Sequence, residues 1–222
     1  MTENKPTIAV IGGTGALGSG FTLRWARAGY PVIIGSRATD SAEAKADEMK
    51  AILPDTSIRG MENAAAAAAA DIVVLTVPFS NHRPMLEAIR DGVQGKILVD
   101  ATVPLVPPKV ARVQLPPEGS AAKAAQEFLG DGVQVVSAFQ NVAADLVQDL
   151  ESPIECDILV CGNQRAARQT VVELAEAAGL TAWHAGPIDN SAAAEALTSV
   201  LIFLNRGDIS HAGIRITGER DA

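Results

Sequence analysis

Gly13-Thr14-Gly15-Ala16-Leu17-Gly18 is a G-x-G-x-x-G, the glycine spacing of a turn that receives a pyrophosphate. Gly13 is expected to let the chain turn sharply, Gly15 to let backbone approach the phosphates, and Gly18 to let a helix pack closely on a strand. The helix that starts here would aim free N–H groups and the positive end of its dipole at the anion. About twenty residues on, the chain reads Gly35-Ser36-Arg37, with no acid until Asp40. An NAD-preferring site carries Asp or Glu at that point to accept from the ribose hydroxyls. A guanidinium binds a 2′-phosphate bidentately and a serine hydroxyl adds one bond, so Ser36 and Arg37 point to NADP.

These residues need a strand before the turn and a helix and strand after it. Ile8 to Ile11 is an apolar run suited to a buried strand, and Leu17, Phe21, Leu23, Trp25, Ala26 and Ala28 follow with helical spacing. Gly29 reads as the helix C-cap, and Pro31 to Gly35 is the second strand. Further on, the pattern predicts helices over 40–53, 62–70, 83–91, 120–129, 166–178 and 191–205. Strands are predicted at 71–77, 96–100, 133–137, 158–160 and 181–184, with a short edge segment at 57–59. Asp40 or Ser41 is the expected cap of the 40–53 helix. The seven alanines from Ala64 read as a short helix packed on the sheet, since alanine is the best helix former. The fold class is therefore α/β: a Rossmann-type doubly wound parallel sheet with a smaller C-terminal α/β region. The division expected is 1–140 for NADP binding and 141–222 for the substrate cleft and a dimer contact.

Ligands of doubly wound sheets sit beyond the carboxyl ends of the strands, so the turn Val77-Pro78-Phe79-Ser80 is placed to wall the cofactor. The loop from Thr102 to Pro117 carries five prolines and is longer than an ordinary connection, which makes it a candidate substrate wall or lid. The last helix offers Ala194, Leu197, Leu201 and Leu204, with Val200 and Ile202 beside them. Such a face implies either docking on the first domain or a homodimer interface.

The formal charge of −8 and the lack of a basic stripe argue against nucleic acid. No apolar run reaches the roughly 20 residues of a membrane span. Met1 leads directly into the first strand without a signal h-region. Cys156 and Cys161 are an odd number apart in a strand-like run, so they face opposite ways and read as buried free thiols of a reducing cytoplasm. The three histidines have no ligand spacing, so no metal is expected.

Several runs resemble the NADPH-dependent coenzyme F420 reductases. They are Gly12-Gly13-Thr14-Gly15-x-Leu17-Gly18, Gly35-Ser36-Arg37, Ala42 to Ala46, Val74 to Pro78, Val135 to Ala138 and Val160-Cys161-Gly162. The closing part, Ala185-Gly186-Pro187-x-x-Asn190-Ser191 through Glu195-x-Leu197-Thr198 to Gly213-Ile214, matches as well. The same fold is similar to the cytoplasmic domain of membrane ferric reductases. The resemblance implies hydride transfer between NADP(H) and the deazaflavin F420, a small-molecule redox acceptor. No catalytic acid or base is implied, because stacking the two rings supplies the rate through proximity. It further implies that Thr14 to Leu17 hold the pyrophosphate, Ser36 and Arg37 the 2′-phosphate, and Val77 and Pro78 the nucleotide. Ala144 would lie near the nicotinamide. Ser41 stands where the family often has a phosphate-contacting lysine. Gln140 stands where archaeal members have a histidine that meets the deazaflavin, and the cleft would run on to Val142.

Two other classes of reading use the same cofactor site. One is an NADP-dependent reductase of a flavin, a ferric chelate or a small carbonyl or imine. For a carbonyl it calls for a Tyr/Lys pair or a histidine with a carboxylate, and the single tyrosine, Tyr30, ends the first helix away from the strand tips. The other is a non-enzymatic NADP-binding redox sensor.

Overall fold

The computed structural model describes residues 5–218. The expectation made on the first four residues lies outside that range. The order is β1 (Ile8–Ile11), α1 (Ala16–Arg27), β2 (Val32–Ser36), α2 (Thr39–Ile52), β3 (Ile58–Glu62), α3 (Asn63–Ala69) and β4 (Ile72–Leu75). Then follow α4 (His82–Ile89), β5 (Ile97–Asp100), α5 (Ala121–Leu129), β6 (Gln134–Ser137) and α6 (Ala144–Gln148). β7 (Asp157–Gly162), α7 (Arg165–Ala177), β8 (Thr181–Gly186) and α8 (Ser191–Leu204) complete the chain.

The strands form one sheet in the order β3-β2-β1-β4-β5-β6-β7-β8. The six from β3 to β6 are mutually parallel; β7 pairs antiparallel with β6, and β8 runs parallel to β7. Alternate residues of β1, β2 and β4 enter different cores. Ile8 and Val10 pack with Phe21, Trp25 and Met49, whereas Ala9 and Ile11 pack with Ala66, Leu86 and Ala122. Burial on both faces explains why β1 and β4 are continuous apolar runs rather than alternating ones.

The Rossmann-type sheet stands as read, with local differences. The fourth strand stops at Leu75; Thr76, just past it, donates both its backbone N–H and its hydroxyl to the Ile11 carbonyl, each at 3.0 Å. The cap of α2 is neither Asp40 nor Ser41. The chain bends after Ser36 and Ala38 is extended, so the helix begins at Thr39 with Ala38 as an N-cap that makes no side-chain bond. Cys156 lies before β7 rather than in it, and both thiols are buried and free. Burial pushes Cys161 up to about 11 and raises Cys156 too, so neither is a reactive thiolate. The helix α6, with two 3-10 turns at Phe79–Asn81 and Ile188–Asn190, had no periodic signal because each is too short to show one. On α8 the buried face is Ser191, Ala194, Glu195, Ser199 and Leu201, while Leu204 and Val200 are exposed.

Candidate functional site

The sheet order reverses between β1 and β4, and a cleft of about 390 Å³ opens there, beyond the carboxyl ends of the strands. Its floor is Gly12, Thr14 and Gly15, and one wall is Ser36, Arg37 and Asn63. Thr76, Val77, Pro78, Asn81, Pro84 and Met85 form the other wall. The left-handed turn falls on Gly12, at φ +77°, not on Gly13. Gly13 is needed for space: a Cβ there would stand 2.7 Å from the Val10 carbonyl oxygen. A Cβ on Gly18 would come within 2.8 Å of both Gly13 Cα and Thr76 Oγ1, so this glycine seats α1 on the loop and on the end of β4. On Gly15 the nearest atom would be 3.4 Å away, which leaves that face to the cleft.

The N-cap of α1 is Gly15, which has no side chain to cap with, and the first turn holds no acid. Its free N–H groups and positive dipole end therefore remain available to an anion. Thr14 and Ala16 are exposed and Leu17 is half-buried against the core. Ser36 is half-buried, while Arg37 is exposed and makes no hydrogen bond or ion pair among the described residues. Ser41 lies exposed in the first turn of α2 and does not line the cleft.

Gln140, Val142 and Ala144 are not in the cleft lining. Phe139, buried at φ +76°, turns the chain sharply after β6 and sends Gln140 back beneath the strand tips. Gln140 Nε2 donates to the Asp100 carbonyl and to Ser137 Oγ, both at 2.8 Å, and its own carbonyl accepts from Thr198 Oγ1 at 2.9 Å. Its Oε1 is enclosed and without a partner, as is Thr102 Oγ1 two residues past β5. Val142 is buried; Ala144 opens α6. That helix is pressed on α1: Gln148 Nε2 donates to the Ala16 carbonyl at 2.9 Å, and a Cβ on Gly20 would meet Val147 and Gln148 at 2.9 Å.

Three groups that hold these pieces, and a fourth that borders the cleft, had little or no signature in the sequence. Arg24, almost wholly buried, donates to the carbonyls of Leu146, Val147, Asp149 and Ala178, which fixes α6 and the end of α7 on α1. Burial lowers its pKa, with Asp149 raising it in part. His82 and Asp100 form a fully buried pair, with Nε2 2.6 Å from Oδ2, that ties the Pro78–Asn81 turn to β5. This is the histidine–carboxylate pair a carbonyl reductase would use, but it is sealed from solvent and outside the cleft lining. Glu195, on α8, accepts from Ala121 N at 2.6 Å and Ala122 N at 3.0 Å and so caps α5 from another element. Asn63, the last of the four, borders the cleft itself. Of these, Asp100 had a visible cue as a charge ending an apolar strand, and Glu195 stood in a run that carries the resemblance, though neither cue showed a partner.

Residues 7–104 match the family model described as NADP oxidoreductase, coenzyme F420-dependent. The F420-dependent NADP reductase of Methanothermobacter thermautotrophicus is 43% identical over 218 residues, covering 95% of this chain and 94% of that protein. The protein of the same name from Methanocaldococcus jannaschii is 40% identical over 219 residues, covering 95% and 97%. Among solved structures, an Arthrobacter protein named as a candidate F420-dependent NADP reductase superposes with a TM-score of 0.77 at 28% identity, covering 90% of this chain and 94% of that one. With 43% identity sustained along nearly the whole of both sequences, the chain belongs to the family of F420-dependent NADP reductases.

Proposed function

We propose that this protein transfers a hydride between NADP(H) and the deazaflavin F420, with the NADP(H) lying in the cleft between β1 and β4. The observation that carries the cofactor half is Arg37: a guanidinium with no partner among the described residues, beside Ser36, at the end of the strand where the adenosine ribose is read. The glycine cradle and the uncapped start of α1 fit a pyrophosphate, with Thr14 to Gly18 around it. Val77 and Pro78 cover the nucleotide, and Ser41 stands near enough in sequence to extend the phosphate site. The acceptor half is supported by relatives of that named activity, similar along 95% of the chain.

NADPH supplies the hydride from its nicotinamide ring when bound. The protein's part is to hold two rings face to face and to exclude water, which needs no protonic group at the step itself. In this reading Ala144 lies near the nicotinamide, and Gln140 and Val142, both buried, belong to the side of the second substrate. Residues 1–140 form the nucleotide half and 141–222 the deazaflavin side. No helix among the described residues is long and apolar enough to cross a membrane, and two buried free thiols accord with a reducing cytoplasm.

The test is absorbance at the F420 band with purified protein, NADPH and oxidised F420. NADH and FMN are run as alternative donor and acceptor. Bleaching that is at least tenfold faster with NADPH than with NADH is the expected result. Bound NADPH with no bleaching would sink the F420 reading and turn attention to other acceptors.

The same reading makes the enzyme a homodimer. Phe203 is 65% exposed, and Val200 and Leu204 on α8 lie open with Val106, Val113 and Leu115 of the long loop. Ser199 Oγ donates to the Arg112 carbonyl at 3.1 Å, which holds loop and helix together. A face of this kind is more often covered than left wet. Light scattering is expected to give twice the 23.0 kDa of one chain, and a Phe203→Glu, Leu204→Glu double variant the mass of one. A wild-type protein of single-chain mass removes the dimer.

A further inference from the structure

Asn63 is the first residue of α3 and borders the cleft beside Ser36 and Arg37. It is 2% exposed, its Oδ1 is enclosed without a partner, and its amide makes no hydrogen bond among the described residues. Buried amides are nearly always paired, so one left open at the edge of a cleft points to a ligand. Two neighbours keep it open. Asparagine at a helix start commonly serves as the cap, but here the Glu62 carboxylate does so, accepting from Ala64 N at 2.8 Å and Ala65 N at 3.4 Å. Position 35 is glycine, and a Cβ there would stand 2.8 Å from Asn63 Oδ1. The absent side chain is the space into which the amide fits, directly before Ser36 and Arg37.

We infer that Asn63 reads the adenosine half of the dinucleotide by a hydrogen bond to the ribose 3′-hydroxyl, the one hydroxyl of that ribose shared by NADPH and NADH. The inference rests on the NADP(H) reading above. A hydroxyl both donates and accepts, so it satisfies whichever end of the amide is turned to it. The ribose is also the part of the ligand that must lie against the end of β2 when its 2′-phosphate is on Ser36 and Arg37. A phosphate contact fits less well, since the carbonyl end of the amide would then face an anion.

Calorimetric titration of NADPH and of NADH, without any acceptor, tests this on the wild type and on Asn63→Ala and Asn63→Asp. Asn63→Ala is expected to weaken both nucleotides by a similar factor of about ten, the loss of one hydrogen bond with its partner left unpaired. Asn63→Asp still accepts from the hydroxyl but sets a negative charge near the 2′-phosphate. It is expected to keep NADH binding within about threefold of wild type and to weaken NADPH by at least about tenfold. A folding defect weakens both nucleotides alike, so where Asn63→Ala proves unstable an unchanged NADPH-to-NADH ratio in Asn63→Asp also overturns the inference. Unchanged binding in Asn63→Ala overturns the inference. So does a loss confined to NADPH, which would put the amide on the phosphate. A wild type that binds neither nucleotide removes the NADP(H) reading itself, and this inference with it.

Discussion

Arg37→Glu is expected to lower the affinity for NADPH by at least about a hundredfold and to leave NADH unchanged or improved. Two effects act together. The variant loses charge-assisted bonds worth about 1.5–3 kcal/mol each, and it puts a carboxylate where the 2′-phosphate would lie. Neither touches NADH, whose ribose hydroxyls a carboxylate accepts well. Arg37 is exposed and unpaired, so its removal leaves no buried partner stranded and the fold should keep its melting temperature. Fluorescence titration with both nucleotides gives the ratio directly. If the preference between NADPH and NADH does not move, the assignment of Ser36 and Arg37 to the 2′-phosphate fails.

The second large effect is on stability and follows from Glu195. It is 1% exposed and its carboxyl is pushed up to about 8. Burial is the main cause, the Ala121 and Ala122 amides oppose it, and nearby Asp100 adds to it. A carboxyl raised in the folded state holds its proton longer there than in the unfolded chain. The stability it contributes is therefore complete below the unfolded pKa near 4.5 and is lost as pH rises through about 8. In urea titrations the wild type should weaken between pH 5 and pH 8 by an amount of order several kcal/mol. Glu195→Gln, which cannot ionise, should show a much flatter profile over the same window. Parallel profiles for the two proteins would mean that the two backbone amides hold Glu195 charged throughout. The region affected is the start of α5, next to Ser120 Oγ, which is 2.6 Å from Ser191 Oγ. Loosening there reaches the base of the long proline loop.

The first strand, its glycine turn and the helix after it were legible because everything they require is local. Glycine spacing, a continuous apolar run and a 3.6-residue period lie within about thirty consecutive positions. Even there, which glycine turns the chain was misread. The choice between Gly12 and Gly13 depends on Val77 and Thr76, which a different strand brings alongside. The apolar face of α8 was legible only in part for a similar reason: Ala194 and Leu201 are buried, but Leu204 is exposed and Glu195 shares the buried face. Its pattern names leucines, but what buries a face is its neighbour, and the neighbour of Glu195 is the open end of another helix.

Local chemistry along the chain was enough to specify an α/β dinucleotide fold, the glycine turn after its first strand and the exposed arginine after its second, because adjacent residues carry each of these. The tertiary structure alone decided what holds that site in place and which further groups face it. Arg24 reaches carbonyls more than a hundred residues away, His82 at the start of α4 finds Asp100 at the far end of the next strand, and among the described residues Asn63 is free only because Glu62 caps and Gly35 makes room. Burial and pairing of polar groups depend on what packs against them, and no periodicity within one segment encodes that partner.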